Sequence, residues 1–492
     1  MVKNTNRQLI IQEEQPFARL AKVKGVVEFK RDIMRYIIIV ACVGIILAGS
    51  RNSLAQNVVP PPGFAPGGVD DSTSSPEPIA PPEPRIFSGS GEPSDVYDGS
   101  SSGGYPTRER VYPRSPRRGN PITTISPVLV AEADPPLPRV WFRPEALLWW
   151  SKSSPLPVPV VTAGSLNDPI PGALGQPGTS VLLGNQNVGF PSQGGGRITF
   201  GFTFDAEQSW GIEGTYFHLS DPTVSQGVYS NGGQGSALLA FPYYNPLTGT
   251  ENASPIAYPG YFAGNAVLTL QTLLQGTDVN ILHNIHYSNN VRVDLLGGFR
   301  YVNFQENLIF STDSPNVSPN PPAFFQTYDQ FNVMNNFYGG QLGLRASYDM
   351  DRFFFNGSGK LAMGSTFETV SVDGGTATNA GGYATAPGSY LSQPTNIGTA
   401  TRNQFAVVPE MNLNVGFRLR PWASIIVGYS FLYISSVARP GDQISHVINP
   451  SQSSAISNYF PANPTGPSLP GLNIHNTDFW AQGLNFALEL RF

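Results

Sequence analysis

The chain has 492 residues, a formal net charge of −5 and a single cysteine, Cys42. Only 13% of its residues are charged, whereas Gly (52) and Pro (46) are abundant. One cysteine excludes a disulfide framework and zinc sites built on cysteine, and the lack of a basic excess argues against a nucleic-acid partner. The length suits two or three ordinary domains or one large barrel with long loops.

Residues 1–55 predict a cleaved signal peptide. Arg35 precedes an apolar run, 36–48, which is shorter than the roughly 20 residues that a membrane-spanning helix needs. The small residue Ala55 suits the last position before the cleavage site. Met34 is the expected start of translation, because the residues before it add nothing that a signal peptide needs. An uncleaved N-terminal anchor is the alternative.

Residues 56–139 predict a disordered spacer, since they hold 18 of the 46 prolines together with Gly and Ser and show no periodic apolar pattern. Cleavage after residue 55 removes nine Lys/Arg and four Asp/Glu, which changes the formal charge from −5 to −10. A small basic cluster in the spacer would suit an anionic wall polymer or lipid headgroups, although a solvated charge run is the simpler interpretation. Its members are Arg108, Arg110, Arg114, Arg117 and Arg118.

After residue 140, ten segments alternate apolar and polar side chains with the period of a β-strand. In the clearest segment, Phe405 and Met411 share one face and Glu410 lies on the other. This segment is longer than a typical soluble strand of about 5 or 6 residues and suits a membrane-spanning strand, which needs about 9 to 11. The ten segments are 141–150, 197–204, 210–219, 276–287, 291–304, 337–348, 353–372, 404–419, 422–435 and 479–492.

The connections between these segments alternate in length. Four are tight turns, at 205–209, 288–290, 349–352 and 420–421. Five are long and rich in Gly, Pro, Ser and Asn, at 151–196, 220–275, 305–336, 373–403 and 436–478. Outer-membrane barrels have short periplasmic turns, long external loops and an even number of strands. The sequence therefore predicts an all-β fold over residues 140–492, an antiparallel up-and-down transmembrane β-barrel.

The predicted number of strands is about 10 to 12. The range depends on residues 265–275, which either extend the fourth strand or form an additional pair. All six tryptophans lie at or near predicted strand ends, where an interfacial aromatic girdle would place them, with core packing in a soluble barrel as the alternative. They are Trp141, Trp149, Trp150, Trp210, Trp422 and Trp480.

The last segment carries a candidate assembly signal. Phe486, Leu488, Leu490 and Phe492 alternate with small or charged residues, and the sequence closes on the aromatic. This pattern is similar to the C-terminal signal by which the barrel-assembly machinery recognises outer-membrane proteins. We therefore expect that machinery to be a partner of the chain.

The polar faces of the strands carry charges of both signs, which are predicted to point into the lumen. A barrel of about ten strands has an interior close to the size that side chains fill, whereas open channels appear at about 16 to 18 strands. Opposite charges there would pair, because an unpaired charge shielded from water is costly. The lumen-facing residues are Arg143, Glu145, Arg197, Glu213, Asp278, Arg292, Asp294, Arg300, Arg345, Lys360, Glu410, Arg418, Glu489 and Arg491.

We predict no cofactor, metal or catalytic residue. His283 and His286 are spaced like metal ligands, but an offset of three puts them on opposite faces of a strand. Polar residues of the last long loop would be the acid–base candidates of a surface hydrolase. Long loops need such residues merely to stay solvated, so no enzyme is expected. The candidates are Asp442, His446, His475 and Asp478.

Seven short motifs follow one another between residue 145 and the last strand: 145–150 (EALLWW), 295–301 (LLGGFRY), 336–344 (NFYGGQLGL), 408–410 (VPE), 427–429 (VGY), 437–443 (VARPGDQ) and 482–486 (QGLNF). Together they resemble an outer-membrane β-barrel family of planctomycete-type bacteria. The resemblance implies a barrel fold and an outer-membrane location. It supplies no substrate and no functional residue.

The favoured hypothesis is an exported outer-membrane barrel with a structural or surface-display role and with its loops facing outside. A small pore is the alternative, and a surface hydrolase is the least favoured hypothesis. The expected partners are outer-membrane lipid, the barrel-assembly machinery and, through the spacer and the loops, cell-wall or surface components.

Overall fold

The computed structural model describes residues 138–317, 323–379, 382–456 and 463–492. The predicted signal peptide and almost all of the spacer lie outside the described residues. No helix within the described ranges is both long enough and apolar enough to cross a membrane. Short 3-10 turns occur at Pro440–Gln443 and Pro450–Gln452.

The strands are, in chain order, β1 Val140–Ser151, β2 Pro159–Gly164, β3 Ser180–Gly184, β4 Gln193–Thr203, β5 Trp210–Leu219, β6 Thr223–Ser230, β7 Leu238–Asn245, β8 Thr250–Ala257, β9 Gly264–Tyr287, β10 Val291–Asp313, β11 Phe325–Met350, β12 Phe353–Thr378, β13 Ala384–Pro387, β14 Gly398–Arg420, β15 Ala423–Ala438 and β16 Asn476–Arg491.

Ten of these strands form a closed antiparallel ring in the order β1, β4, β5, β9, β10, β11, β12, β14, β15 and β16. Pairing of β16 with β1 closes the ring. β6 adds to the outer part of β9 and β13 to the outer end of β12, so the sheet has 12 strands in all. The predicted all-β antiparallel barrel is confirmed, and residues 265–275 extend its fourth ring strand, β9.

The short connections gather at one end of the ring, between β4 and β5, β9 and β10, β11 and β12, and β14 and β15. The backbone N–H of Arg139 donates to the carbonyl oxygen of Phe492 over 2.8 Å, so the first and last ring strands meet at this end. Left-handed backbone at Gln208 and Asp351 (φ 55° at each) lets two of the turns reverse within a few residues. In outer-membrane barrels the end with short turns faces the periplasm.

Ring strands invert their amphipathic pattern part way along their length. In β11, Leu342 points outward and is 63% exposed, while its neighbour Gln341 is buried inside the ring. Ten residues earlier on the same strand, the outward residue is Asn332 and the inward residue is Phe331, which is 0% exposed. β10, β12 and β14 show the same change. We call the two parts of the ring the periplasmic half and the outer half.

Aromatic side chains mark the two limits of the apolar outward band. Tyr338 and Phe405 are 50% and 64% exposed at its outer limit, where they share one row of the sheet. Trp210 and Trp422 are 49% and 55% exposed at its periplasmic limit. Aromatic girdles flank the lipid-facing band of outer-membrane barrels in this way. The periplasmic half therefore faces lipid, and the outer half stands beyond it.

Two of the tryptophans are not part of this girdle. Trp141 and Trp149 point into the ring, where their indole N–H groups donate to Glu213 and Asn485, each over 2.9 Å. A buried indole needs such an acceptor, because its N–H cannot be left unpaired without cost. The proximity of these residues to strand ends thus has a second cause, packing inside the lumen.

A four-stranded sheet with the order β3-β2-β7-β8, here called the plug sheet, fills the outer half. Its side chains Val160, Phe241 and Ile256 are at most 1% exposed and share one apolar cluster with Phe310 and Phe331 of the ring. Burial of each large apolar side chain contributes about 1.5–3 kcal/mol. The inward face of the outer half is therefore the wall of a hydrophobic core.

The prediction of long loops at 151–196 and 220–275 is wrong in its extent, because these ranges contain five strands, β2, β3, β6, β7 and β8. Parts of 305–336 and 373–403 are also strand, since β10, β11, β12 and β14 continue into the outer half. Burial on both faces explains the error in β7, LLAFPYYN. Seven of its eight residues are buried, so no alternation of apolar and polar residues remains to be read.

Candidate functional site

The lumen of the periplasmic half is the candidate site, because ten ionisable side chains from nine of the ten ring strands meet there. They occupy inward positions, since side chains along a strand alternate between its two faces. The five cations are Arg143, Arg197, Arg300, Arg345 and Lys360. The five anions are Glu145, Glu213, Asp278, Glu410 and Glu489.

Arg300 lies at the centre of the first group. Its guanidinium Nη2 is 3.3 Å from Oδ2 of Asp278 on the neighbouring strand and also pairs with Glu410. Lys360 adds a second cation to the group, with Nζ 3.1 Å from Oδ1 of Asp278. β10 and β14 are three places apart in the ring, so the pair of Arg300 with Glu410 crosses the lumen.

A second group centres on Arg197 of β4. Arg197 Nη2 lies 2.5 Å from Oε2 of Glu145, and Arg197 Nη1 donates to Asn412 and Ser430 over 3.2 Å each. β4 and β14 are four places apart in the ring, so these hydrogen bonds also cross the lumen. Arg143 joins the group, with its Nε 2.9 Å from Oε1 of Glu145.

The third group pairs Arg345 on β11 with Glu213 on β5, again across the lumen. The indole of Trp141 donates a further hydrogen bond to the same carboxylate. Glu213 is 1% exposed, so it has exchanged almost all of its hydration for these contacts. A buried carboxylate tolerates that exchange only when charged or N–H donors surround it.

Little free space remains between the three groups. A polar cavity of about 20 Å³ lies among them, lined by residues that include Arg143, Glu213, Arg345, Lys360 and Glu410. This is room for one or two water molecules. The five cations and five anions balance, so these ten residues give this part of the lumen no net formal charge.

The other predicted lumen residues lie nearer the periplasmic mouth. Arg292 pairs with Asp294 at 3.0 Å and donates to Gln208 in the turn after β4. Arg418 pairs with Asp349 beside the turn after β11. Arg491 also lies at the mouth, and its Nε is 2.6 Å from Oε1 of Glu489.

The residues of the candidate assembly signal lie on the outward face of β16. Phe486 and Leu488 are 48% and 40% exposed, and Phe492 is 59% exposed. Leu490 is partly buried on the same face. These side chains thus belong to the lipid-facing band.

The four hydrolase candidates have separate partners. His446 Nε2 is 2.9 Å from Oε2 of Glu251, and Asp478 is 2.5 Å from Lys152. The backbone N–H of His475 donates to Gln443. Asp442 is partly buried, and burial raises the pKa of its carboxyl. No group of three or more His, Cys, Asp or Glu that would hold a metal ion occurs in the part of the chain that the structure describes.

Among the described residues of the outer half, one ion pair that reasoning from the sequence missed has both side chains fully buried. Arg439 and Glu306 are 0% and 2% exposed, and two N···O contacts of 2.8 and 2.6 Å join them. The guanidinium also lies near the rings of Phe304 and Phe479, at 5.7 and 5.6 Å. Arg439 lies in the motif VARPGDQ, and an arginine between apolar residues and a Pro-Gly pair was the available signal.

Several solved structures are similar to this chain at low identity. The outer-membrane protease OmpT from Escherichia coli is 9% identical, with 72% of this chain and 97% of that chain covered and a TM-score of 0.33. The toluene transporter TodX of Pseudomonas putida is 8% identical, with coverage of 72% and 90% and a TM-score of 0.18. A Pseudomonas aeruginosa FadL homologue is 7% identical, with coverage of 72% and 90% and a TM-score of 0.18.

No curated protein matches the sequence. A family model does match, over residues 141–492, and its description is Putative beta barrel porin-7 (BBP7). This match covers the whole ring and the plug sheet, and with the closed ring it identifies an outer-membrane β-barrel protein. The chain belongs to the BBP7 family of β-barrel proteins.

Proposed function

We propose that the protein is a closed, non-conducting barrel with a structural or surface-display role in the outer membrane. The double closure of its interior supports this proposal. Paired charges cross the lumen of the periplasmic half, and the plug sheet fills the outer half. A solute would have to disrupt both layers to pass.

Opening either layer would cost free energy, and no interaction in the lumen would offset that cost. Removing one partner of a buried ion pair costs about 3–5 kcal/mol. Displacing the plug sheet would expose residues such as Phe241 and Val160, each at a cost of about 1.5–3 kcal/mol. Closure is therefore the resting state of the barrel, and its binding surfaces lie outside the lumen.

A small pore is the second candidate, and two observations favour it. The family description contains the word porin. The cavity among the charges of the periplasmic half is polar and suits water. In a pore, however, water and ions would also need a path past the plug sheet and the Arg439–Glu306 pair.

Single-channel conductance in a planar lipid bilayer tests the proposal, with residues 56–492 refolded into detergent. We expect a folded, inserted barrel that shows no conductance steps. The variant Arg300→Ala/Glu410→Ala is the matched control, because it opens the periplasmic layer alone and should also remain silent. Steady steps from the wild-type protein that disappear on denaturation would establish a pore and overturn the proposal.

The remaining proposals concern export and contacts. We propose cleavage after Ala55, which N-terminal sequencing of the mature protein tests, with the Pro-rich spacer in the periplasm near the cell wall. The apolar band would contact outer-membrane lipid, and the segment from Phe486 to Phe492 would be read by the barrel-assembly machinery. We also propose that the protein is not an enzyme and needs no cofactor, and the separate partners of His446 and Asp478 support this.

A further inference from the structure

The outward face of the outer half has an unusual composition. This surface, here called the amide wall, is formed by the outward-facing side chains of six ranges. In each range these are the first residue and every second residue after it. The ranges are 223–229, 265–275, 303–313, 326–336, 369–373 and 399–403. Most of these residues are Asn, Gln, Ser or Thr. Two are carboxylates, Asp313 and Asp373, and none is Lys or Arg.

The amide wall is also regular. One row of the sheet runs through Gln271, Asn307, Asn332, Ser371 and Thr399 on five successive strands, and this part of the sheet has no register shift. A β-sheet of this kind repeats about every 4.8 Å across the strands. Along this row the wall offers amide and hydroxyl groups at regular intervals, while Leu273, Ile309 and Met334 interrupt the neighbouring rows.

Hydrogen bonds between neighbouring rows and strands hold these side chains in place. Gln330 Nε2 donates to Asn307 Oδ1 over 2.9 Å, and Asn303 Nδ2 donates to Asn336 Oδ1 over 2.9 Å. Groups that are already ordered lose less conformational entropy when they bind a partner. At Gln330 and Asn307 such a hydrogen bond fixes the orientation of two partly exposed amides, whereas Asn303 and Asn336 of the lowest row are 0% and 8% exposed.

Hydration alone does not account for this composition. A surface designed only for solubility carries about 25–35% charged residues of both signs. An anionic partner would call for Lys or Arg, which the wall lacks. Amides and hydroxyls both donate and accept hydrogen bonds, as the hydroxyl groups of sugars do. At the upper edge of the wall, Tyr229 is 69% exposed and offers an aromatic face.

The position of the wall agrees with this chemistry. Its lowest row, with Asn303 and Asn336, begins directly beyond Tyr338 and Phe405, which end the lipid-facing band. We propose that the amide wall binds a neutral, hydroxyl-rich glycan of the cell surface. The proposal is independent of the closed lumen, because no residue of the wall faces the interior.

Affinity electrophoresis tests the proposal with the refolded mature chain in native gels that contain dextran, linear mannan or laminarin. We expect at least one of these neutral glycans to retard the wild-type protein more than polygalacturonate does. The variant Asn307→Ala/Gln330→Ala/Asn332→Ala should raise the dissociation constant at least tenfold. The matched control Thr248→Ala/Thr250→Ala/Asn252→Ala alters the β7–β8 turn and the start of β8 instead and should bind like the wild type.

Three results would overturn the proposal. The first is a folded wild-type protein that none of the three glycans retards. The second is a triple wall variant, folded by its heat-modifiable gel mobility, that is retarded as strongly as the wild type. The third is a concentration-dependent dimer that the wall variant abolishes, which would assign the wall to a second copy of the chain.

Discussion

The periplasmic and outer halves of the barrel place their apolar side chains on opposite faces of the same strands. On β11, the periplasmic half places Leu342 outside and Gln341 inside, while the outer half places Asn332 outside and Phe331 inside. The backbone is one uninterrupted strand. The inversion follows from what each half contacts, because lipid covers the outside of one half and the plug sheet covers the inside of the other. Surroundings, not strand geometry, set the pattern.

The two halves also differ in how they close the interior. Ten charges in three groups close the periplasmic half, whereas a hydrophobic core with one fully buried ion pair, Arg439–Glu306, closes the described part of the outer half. Breaking a single group of the first kind leaves neighbouring charges that can compensate. Breaking the Arg439–Glu306 pair leaves a carboxylate among apolar residues, so the outer half should be the more sensitive of the two.

Arg439→Leu should have the largest effect on stability. The change leaves Glu306 buried without its partner, and we expect the free energy of unfolding to fall by about 3–5 kcal/mol. Guanidinium unfolding in detergent, followed by tryptophan fluorescence, measures the change. The double variant Glu306→Leu/Arg439→Leu is the control and should recover much of the loss, since it removes the unpaired charge. A loss below about 1 kcal/mol for the single variant would contradict the prediction.

Leu342→Lys and Asn332→Lys test the inversion on one face of one strand. At Leu342 a lysine enters the lipid-facing band, which costs about 2–4 kcal/mol near the middle of the membrane. At Asn332 the same lysine meets water, and we expect a change within about 0.5 kcal/mol. Unfolding of both variants in lipid vesicles measures the difference. Equal losses at the two positions would mean that both lie in the same surroundings.

The ring could be predicted from the sequence because each of its strands keeps a clear period of two in the periplasmic half. Leu413 and Val415 alternate with Asn412 and Asn414, and this contrast between lipid and lumen is readable without a structure. The outer ends at 305–313 and 325–336 were predicted as loop because the pattern inverts there. Asn332 lies on the same face of β11 as Leu344 and Leu342, and a polar residue at that position suggests the start of a loop.

The plug sheet could not be predicted in the same way. Strands buried on both faces, such as β7, have no alternation, and Pro242 within that strand suggests a break. The sequence shows which charged residues face the lumen, but it does not show which of these residues pair with each other across the lumen. The contact of Arg197 with Asn412 depends on the curvature of the closed ring, which brings residues 215 positions apart into hydrogen-bond distance.

Asp329→Asn should alter how stability depends on pH. Asp329 lies in the outer half, is 0% exposed and accepts hydrogen bonds from Ser389, Leu391 and Ser392. Burial raises the pKa of Asp329 to about 6, although these hydrogen bonds oppose the shift. In the unfolded chain the pKa is about 3.9. The folded state therefore binds the extra proton between about pH 4 and pH 6, and stability falls as pH rises through that window.

The fall attributable to Asp329 should reach up to about 3 kcal/mol and level off above pH 6. The asparagine variant does not titrate, so its stability relative to the wild type should improve as pH rises from 4 to 6. Unfolding curves of both proteins at intervals of half a pH unit measure this difference. Parallel pH profiles would show that the carboxyl stays ionised in the fold across this range.

Lys152→Ala should have the smallest effect. Lys152 pairs with Asp478 at 2.5 Å, but the two side chains are 29% and 37% exposed, so water competes for both charges. Exposed pairs of this kind contribute about 0–1 kcal/mol. The Lys152 and Arg439 variants can be compared directly, because the two residues are in contact. Arg439 Nη2 donates to the backbone carbonyl of Lys152 over 3.3 Å. That hydrogen bond survives in the alanine variant. The variant loses the exposed ion pair and one hydrogen bond from Lys152 Nζ to the backbone carbonyl of Asp478. A loss of stability as large as that of Arg439→Leu would mean that burial does not set the strength of these pairs.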